Sequence, residues 1–303
     1  MTTKSSQNWL PTYLALGTIW GLSFLFIAWA NESLSPVGVA FWRLVFGAIP
    51  MALLAWRAKN HWPRDWRIWA KMCITSICMS SVPGVLFAFA ELHSTSAFAG
   101  IMNGSTPIWT LVFILLFFRA EKPAPNVFVG LGIGLVGVLL VLQVWNGLGE
   151  NDPWSVGALT LAVVLYGIGG PYTRRFISPL KIDSNVQVAM QVGIAAIMLA
   201  PFYFVPVLFG APLLAAPLTF TAVLGMVLLG VLGTGIAYVG YYALMNSAGS
   251  AVANSVTYLS PVVAVLAGAL VLGEHLTWNE LVGGAIVILG AAVSQGYFKR
   301  KAA

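Results

Sequence analysis

A single arginine lies inside an apolar stretch of this sequence. Arg43 follows Pro36, the first residue of the stretch, by seven positions, which is about 10 Å in a helix that rises 1.5 Å per residue. In the middle of a membrane-spanning helix an arginine costs about 2.5–3.5 kcal/mol. We therefore expect Arg43 to face the protein interior. Two kinds of partner are open to it there. One is structural, such as backbone carbonyls or Glu91; the other is a ligand with a carboxylate or another anionic group.

Glu91 ends the third apolar stretch, near the same face of the membrane as the start of the stretch that holds Arg43. Three roles are open to it: a partner for Arg43, a carrier of protons, or a solvated acid at a helix end. His93, two residues further on, is expected in an interfacial loop. The role of proton carrier therefore requires that Glu91 lies on the route that a ligand takes through the protein.

Two prolines lie beside polar residues in the fourth and ninth apolar stretches. Because proline has no N–H, Pro107 frees the carbonyl of Asn103, and Pro261 frees that of Thr257. We expect the two prolines to act as hinges or kinks. The polar residues near them are predicted to bind a ligand: Asn103, Asn254, Thr257 and Tyr258. The alternative is a passive kink whose free carbonyl is satisfied by local side chains.

Aromatic side chains supply the rest of a predicted cavity. Trp20 lies near the middle of the first apolar stretch, although tryptophans of membrane proteins prefer the interface. Trp20 is therefore predicted to line a cavity, together with Ser23 and Phe24. The other aromatic candidates, for which core packing is the alternative, are Phe87, Trp109, Tyr166, Tyr238, Tyr241 and Tyr242.

Groups for metal or covalent chemistry are scattered along the chain. His61, His93 and His275 fall in three separate loops, and Cys73 and Cys78 fall in one apolar stretch. The glycine-rich segments lie within apolar stretches and lack the Lys-Ser/Thr ending of a phosphate-binding loop. We expect no metal, no cofactor and no enzymatic activity.

The elements that position these residues follow from composition. Of 303 residues, 59% are apolar and 8% are charged, and the mean hydropathy is +0.88, which excludes a soluble globular protein. Continuous apolar runs of about 20 residues predict membrane-spanning helices and exclude the alternating strands of a barrel. Ten such runs are present: Trp9–Ala30, Pro36–Trp56, Ile68–Ala90, Ser96–Phe118, Val127–Trp145, Pro153–Tyr172, Val186–Leu208, Phe220–Ala243, Ala251–Leu272 and Trp278–Gln295. The predicted fold is an all-α integral membrane protein with ten transmembrane helices.

Basic residues predict the orientation. All of the 15 Lys and Arg residues except Arg43 fall in loops or termini on one side of the ten-helix topology, and such loops stay in the cytoplasm. Both termini are therefore expected in the cytoplasm, in a multi-pass protein of the cytoplasmic (inner) membrane. The net charge of +6 is thereby explained without a nucleic-acid partner.

An internal repeat relates the two halves of the chain. A shift of 154 residues aligns Ser96–Ala99 with Ser250–Ala253, and a shift of 153 aligns Glu121 with Glu274. Each unit holds five helices, an odd number, so the second unit enters the membrane from the opposite side. We predict two inverted five-helix repeats, residues 1–150 and 151–303. Such symmetry predicts a shared central site that faces either side in turn.

Small residues predict which helices serve as scaffold. Gly130, Gly134 and Gly137 in the fifth run, with Gly283 and Gly290 in the tenth, permit close helix contact. The spacing of Gly130 and Gly134 also suits dimerisation. Both a monomer and a homodimer therefore remain open.

The chain resembles the EamA-type transporters of the drug/metabolite transporter superfamily. Their halves open with a WG-S-F element, a proline and an arginine in the second helix, and a later proline precedes a loop acid. The matching positions are Trp20–Phe24, Pro36, Arg43, Pro107, Glu121, Pro261 and Glu274. The second half departs from this pattern, since its second helix holds Gln187 and Gln191 but no arginine. Two chemically unequal half-sites are expected.

The resemblance implies a secondary transporter that moves a small organic metabolite across the cytoplasmic membrane, in the direction of export. One arginine, a nearby acid and an aromatic cavity favour amino acids or related compounds. The alternatives are amphipathic drugs, nucleobase-like metabolites and quaternary amines, the last favoured by an aromatic cage. A membrane sensor that does not transport, or a channel, is the alternative from a different class. The expected partners are this substrate and the lipid bilayer.

Overall fold

The structure is a computed structural model that describes residues 10–117, 125–141, 143, 145, 152–248, 253 and 256–294. These residues form helices, turns and irregular segments, with no strand among them. Several residues named above lie outside the described ranges: Glu121, Ser250, Asn254, and residues 150 and 151, where the two predicted repeats meet.

The described residues contain eleven α-helices, which are numbered here in chain order. They are α1 (Leu10–Asn31), α2 (Pro36–Arg57), α3 (Trp66–Ser76, continued by Ile77–Ser81 and Val82–Ala90), α4 (Ser96–Asn103), α5 (Thr106–Leu116), α6 (Pro125–Val141), α7 (Pro153–Phe176), α8 (Ser184–Leu208), α9 (Phe220–Gly230, continued by Val231–Ile236 and Ala237–Ala248), α10 (Ser260–Ala267, continued by Gly268–Leu272) and α11 (Trp278–Ser294). Short 3₁₀ turns cover Ser178–Leu180 and Val256–Tyr258.

Within the described residues, seven helical segments are long and apolar enough to cross a membrane. They are Pro11–Asn31, Pro36–Arg57, Trp66–Ala90, Ser96–Leu116, Pro153–Leu180, Ser184–Leu208 and Phe220–Met245. Three shorter apolar helices accompany them: Phe128–Val141, Val256–Leu272 and Trp278–Gly290. Large apolar side chains point outward from the bundle, for example Leu208, Phe209 and Leu270, which are all more than 80% exposed. In water this surface would be costly, so the chain is a multi-pass membrane protein.

The helices pack mainly across the two halves of the sequence. In the described part, α1 contacts α9 and α10, α2 contacts α8, α3 and α5 contact α7, and α6 contacts α11. No half forms a separate core, because each helix in these pairs buries its inner face against a helix from the other half.

The fourth and ninth runs are interrupted, which sequence patterns predict only in part. Helix α4 ends at Asn103, a turn covers Gly104 and Ser105, and α5 begins at Thr106. Pro107 lies in the first turn of α5, and Pro261 lies in the first turn of α10, where a missing N–H has no cost. Both prolines start a new helix segment and do not kink a continuous helix. Their role as hinges stays a prediction.

Wide π-helical turns interrupt three of the spans, which the apolar pattern does not reveal. They cover Ile77–Ser81 in α3, Val231–Ile236 in α9 and Gly268–Leu272 in α10. Such turns occur often at functional sites. The first two lie 154 residues apart, the same shift that aligns the two halves of the sequence.

Glycines join α6 and α11 at close range. A Cβ on Gly137 would lie 2.7 Å from the carbonyl oxygen of Gly283. A Cβ on Gly290 would lie 2.4 Å from the backbone nitrogen of Gly134 and 2.6 Å from the carbonyl oxygen of Gly130. The glycine face that we also considered for dimerisation is therefore covered by α11 of the same chain.

This contact yields a stability prediction. Gly137→Ala places a methyl group against backbone that cannot move aside, and we expect a loss of about 1–3 kcal/mol of stability. Gly132→Ala in the same helix is the matched control, because its Cβ would meet nothing within 4 Å. Thermal unfolding in detergent should show a lower melting temperature for Gly137→Ala alone. Equal melting temperatures for the two variants would contradict the contact.

Candidate functional site

The helices enclose a small cavity of about 80 Å³, which is below the range of about 300–1,000 Å³ that is usual for a small-molecule site. Ten of the residues predicted from sequence line it: Trp20, Ser23, Phe24, Arg43, Phe87, Asn103, Tyr166, Tyr238, Tyr241 and Thr257. They come from α1, α2, α3, α4, α7, α9 and the turn before α10. The cavity is thus shared by both halves of the sequence.

Arg43 is the charged residue among those that line the cavity, and it is only 8% exposed. Its Nε donates a hydrogen bond to Thr234 Oγ1 at 3.2 Å. Within the described ranges, neither Nη1 nor Nη2 has a hydrogen-bond or ion-pair partner. The suggested pair with Glu91 does not form: Glu91 accepts a hydrogen bond from Ser96 instead. A buried guanidinium with two open nitrogens can bind a carboxylate through two parallel hydrogen bonds.

Two groups of aromatic rings form the walls. Trp20 lies 5.5 Å from Tyr241 and 6.2 Å from Tyr238 between ring centroids. On the other side, Phe87 lies 5.7 Å from Phe24 and 6.0 Å from Tyr166. Such walls accept an apolar or aromatic body by burying its surface. The cavity therefore combines one open cationic group with two apolar faces.

The interrupted helices meet at the cavity. Asn103, the last residue of α4, and Thr106, the first of α5, both line it, and Thr106 Oγ1 donates to Asn103 Oδ1 at 3.4 Å. A Cβ on Gly104 would lie 2.9 Å from Pro261 Cγ, so the two breaks are in contact. Irregular backbone at membrane depth is tolerated where it lines a cavity.

Five predicted residues do not line the cavity or lie outside the described ranges. Tyr242 is buried and donates a hydrogen bond to Gln191 Oε1. Trp109 packs against α7, where a Cβ on Gly167 would lie 2.6 Å from Trp109 Cβ. Tyr258 is partly buried against the apolar core. Asn254 falls among the residues that are not described. Glu91 lies at the end of α3, one turn beyond the cavity residue Phe87.

Three lining residues were missed by the sequence analysis: Ile27, Met79 and Thr106. Ile27 and Thr106 each lie three positions after a predicted residue, Phe24 and Asn103. Residues at this spacing share a helix face, so that rule would have found Ile27. Met79 lies in the π turn of α3, and no sequence pattern predicted that turn.

Glu91 and Glu274 meet at the start of α4. Glu91 Oε2 accepts from Ser96 Oγ at 3.0 Å, while Glu274 accepts from the backbone N–H groups of Ser96 at 2.8 Å and Ala97 at 3.1 Å. Glu91 Oε1 is buried and has no hydrogen-bond donor among the described residues. Burial raises the pKa of Glu91 well above its ordinary value; the Ser96 hydrogen bond lowers it, the Glu274 charge raises it, and Arg43 lowers it.

Metal ligation has no support in the described ranges, which hold no group of three or more His, Cys, Asp and Glu residues close enough to bind an ion.

Known proteins are similar to this chain in sequence and in fold. The sequence profile of the EamA-like transporter family matches residues 8–143 and again residues 153–295. An uncharacterized transporter of Archaeoglobus fulgidus is 25% identical over 288 residues, which cover 94% of this chain and 97% of the relative. The uncharacterized inner membrane transporter YedA of Escherichia coli is 28% identical over 287 residues, which cover 94% of this chain and 90% of YedA. A crystal structure with 18% identity matches 96% of this chain and 99% of its own with a TM-score of 0.71.

The raised pKa of Glu91 predicts a pH-dependent stability. Because the folded protein favours the protonated carboxyl, stability should fall as the pH rises through the pKa of Glu91 in the folded state. Glu91→Gln should remove this slope and melt at a higher temperature than the unsubstituted protein at alkaline pH. Thermal unfolding measured between about pH 5 and 9 tests this.

Asp152→Asn is the control for this titration. A backbone hydrogen bond from Ser155 lowers the pKa of Asp152, so its charge does not change in the alkaline range and the slope should remain. Parallel curves for Glu91→Gln and the unsubstituted protein would show that Glu91 does not cause the effect.

Proposed function

This chain belongs to the EamA-like transporter family, and we propose that it is a secondary carrier that exports a small carboxylate-bearing metabolite, with an amino acid favoured. The family and the named relatives are transporters, so the chain is a membrane transporter and not an enzyme. The substrate class, the direction and the mechanism are the content of the proposal.

The observation that carries the substrate class is the open guanidinium of Arg43. Arg43 lines a cavity whose lining residues include no Asp or Glu, and its Nη atoms have no partner among the described residues, so a ligand carboxylate is the natural counter-ion. The same charge repels a quaternary amine, which weighs against that alternative despite the aromatic rings. The walls around Trp20 and Phe87 would hold the apolar body of the ligand. Drugs and nucleobase-like metabolites remain the alternative substrates.

The proposed architecture is ten spans in two inverted repeats, residues 1–150 and 151–303. Three observations support it. The family profile matches the chain twice, π turns recur in α3 and α9 at the shift of the repeat, and Pro107 and Pro261 both start helix segments. With an odd number of spans in each half and basic loops on one side, both termini lie in the cytoplasm.

Alternating access follows from this symmetry as the proposed mechanism. If one half can pack in two ways against the other, the mirrored arrangement opens the cavity to the opposite side. The rigid contact of α6 and α11 would stay fixed, and the interrupted helices α4, α5 and α10 would move. A carrier of this kind needs no nucleotide and no cofactor.

Proton exchange through Glu91 is the proposed coupling. Its Oε1 is buried without a donor among the described residues, and its pKa lies well above the ordinary value, so it keeps a proton to a higher pH than an exposed glutamate does. Glu91 contacts Ser96 at the start of α4, whose other end lines the cavity. Protonation of Glu91 can therefore act on the helix that holds Asn103.

The carboxylate role predicts the behaviour of an Arg43→Lys variant. In proteoliposomes, uptake of radiolabelled amino acids by this variant should fall at least about tenfold at low solute concentration, because lysine cannot form the paired hydrogen bonds. Arg64→Lys, in an exposed loop, is the control. Normal amino-acid flux through the Arg43→Lys variant would contradict the proposed role of Arg43 in binding the carboxylate. Failure of the unsubstituted protein to move amino acids, nucleobases or amphipathic amines would contradict a carrier.

Coupling is tested with an imposed pH gradient. Uptake by the unsubstituted protein should rise several-fold when the gradient is applied, and Glu91→Gln should lose this stimulation but keep exchange of labelled for unlabelled solute. Glu32→Gln is the control, since Glu32 is an exposed acid that binds Thr219 and Thr221. Unchanged stimulation of Glu91→Gln would exclude Glu91 as the proton carrier, and no stimulation of the unsubstituted protein would favour facilitated diffusion.

A further inference from the structure

The π turn of α9, Val231–Ile236, holds two cavity residues that come from the other half of the sequence. Arg43 Nε donates to Thr234 Oγ1 at 3.2 Å, and Trp20 Nε1 donates to the carbonyl oxygen of Gly233 at 3.2 Å. Thr234 itself is fully buried and is not among the residues that line the cavity. Its hydrogen bond with Arg43 links it to the cavity.

Both hydrogen bonds of the Thr234 hydroxyl group have a fixed direction. Because a guanidinium has no acceptor, Arg43 Nε donates and Thr234 Oγ1 accepts. The hydroxyl proton goes to the carbonyl oxygen of Leu229, five residues earlier, at 2.9 Å, so the π turn holds the hydroxyl group. Arg43 Nε is thereby held against α9, while Nη1 and Nη2 have no partner among the described residues.

Close contact between the backbones of α2 and α9 brings the short side chain of Thr234 within hydrogen-bond distance of Arg43. A Cβ on Gly230 would lie 2.8 Å from the carbonyl oxygen of Arg43, and one on Gly47 would lie 3.0 Å from that of Gly230. Any larger residue at these positions would separate α2 from α9. The two glycines therefore set the distance across which Thr234 holds the guanidinium.

We infer that Thr234 is a positioning residue for ligand binding, which turns the guanidinium of Arg43 so that its two terminal nitrogens receive a carboxylate. The inference rests on the proposed function and deepens it. The second half supplies no arginine of its own in α8, but it orients the arginine of the first half. The ligand class is a monocarboxylate whose apolar body lies between the aromatic walls.

The test uses benzoate as the probe and purified protein in detergent. Benzoate should raise the melting temperature of the unsubstituted protein, and its apparent Kd should rise about tenfold in Thr234→Val, because the Arg43 side chain loses the hydrogen bond that orients it. Thr234→Ser keeps the hydroxyl and should bind like the unsubstituted protein. Thr75→Val is the matched control: Thr75 is also fully buried and hydrogen-bonded, but to Thr173.

A second measurement reports the hydrogen bond directly. In protein labelled with ¹⁵N-arginine, the Nε–H signal that disappears in Arg43→Lys should shift in Thr234→Val and return in Thr234→Ser. If Thr234→Val does not fold, Thr234→Ala removes the same hydroxyl without adding a methyl group, and it should show the same rise in Kd.

The possible outcomes distinguish the role of Thr234 from the proposed carboxylate site. Unchanged benzoate affinity in the folded Val or Ala variant overturns the role of Thr234, and leaves the carboxylate site and the carrier intact. If benzoate does not stabilise the unsubstituted protein, the carboxylate site fails, and the role of Thr234 fails with it. Solute flux in proteoliposomes decides independently whether the protein is a carrier.

Discussion

The charge of Arg43 is the constraint on which the rest of the structure depends. A guanidinium at this depth cannot contact lipid, so α2 must turn it inward. Once inside, it has one protein partner, the Thr234 hydroxyl, and no acid from the described ranges. A buried charge without a counter-ion costs free energy. The cavity therefore favours an anionic group, and the proposed transport of a carboxylate would use this preference without a further binding element.

Regular helices and interrupted helices lie in different parts of the structure. Helices α6 and α11 are joined through glycines at near-backbone distance, a contact that resists sliding. Around the cavity the backbone is interrupted instead: α4 gives way to α5, α10 starts at a proline, and α3 and α9 carry π turns. Interrupted segments have fewer backbone hydrogen bonds to break when they move. The movement that the proposed mechanism needs would thus fall in the elements that line the cavity.

The two halves are interdependent at the level of single side chains. Glu274 from the second half accepts the first N–H groups of α4 in the first half. Thr234 and Gly233 from the second half hold Arg43 and Trp20 from the first. A change in the packing of the halves therefore changes the ligand site itself. This is the physical link between the symmetry of the sequence and the proposed mechanism.

Composition and the spacing of apolar runs were sufficient to predict the helical membrane fold, because lipid demands long apolar helices. They also placed most cavity residues, since a polar or aromatic group in the middle of a span has few alternatives to facing inward. The failures have specific causes. Trp109 faces a neighbouring helix because Gly167 leaves room for it, and a sequence does not show such complementary pairs. The π turns and Thr234 were missed because they depend on contacts between helices distant in sequence.

The central claim is that the cavity is the transport pathway and opens to each side of the membrane in turn. It is tested by replacing Cys73 and Cys78 with serine, introducing Asn103→Cys, and adding a membrane-impermeant thiol reagent to sealed vesicles of either orientation. The account predicts labelling from both sides and protection by a transported solute. Labelling from one side alone under every condition would contradict it.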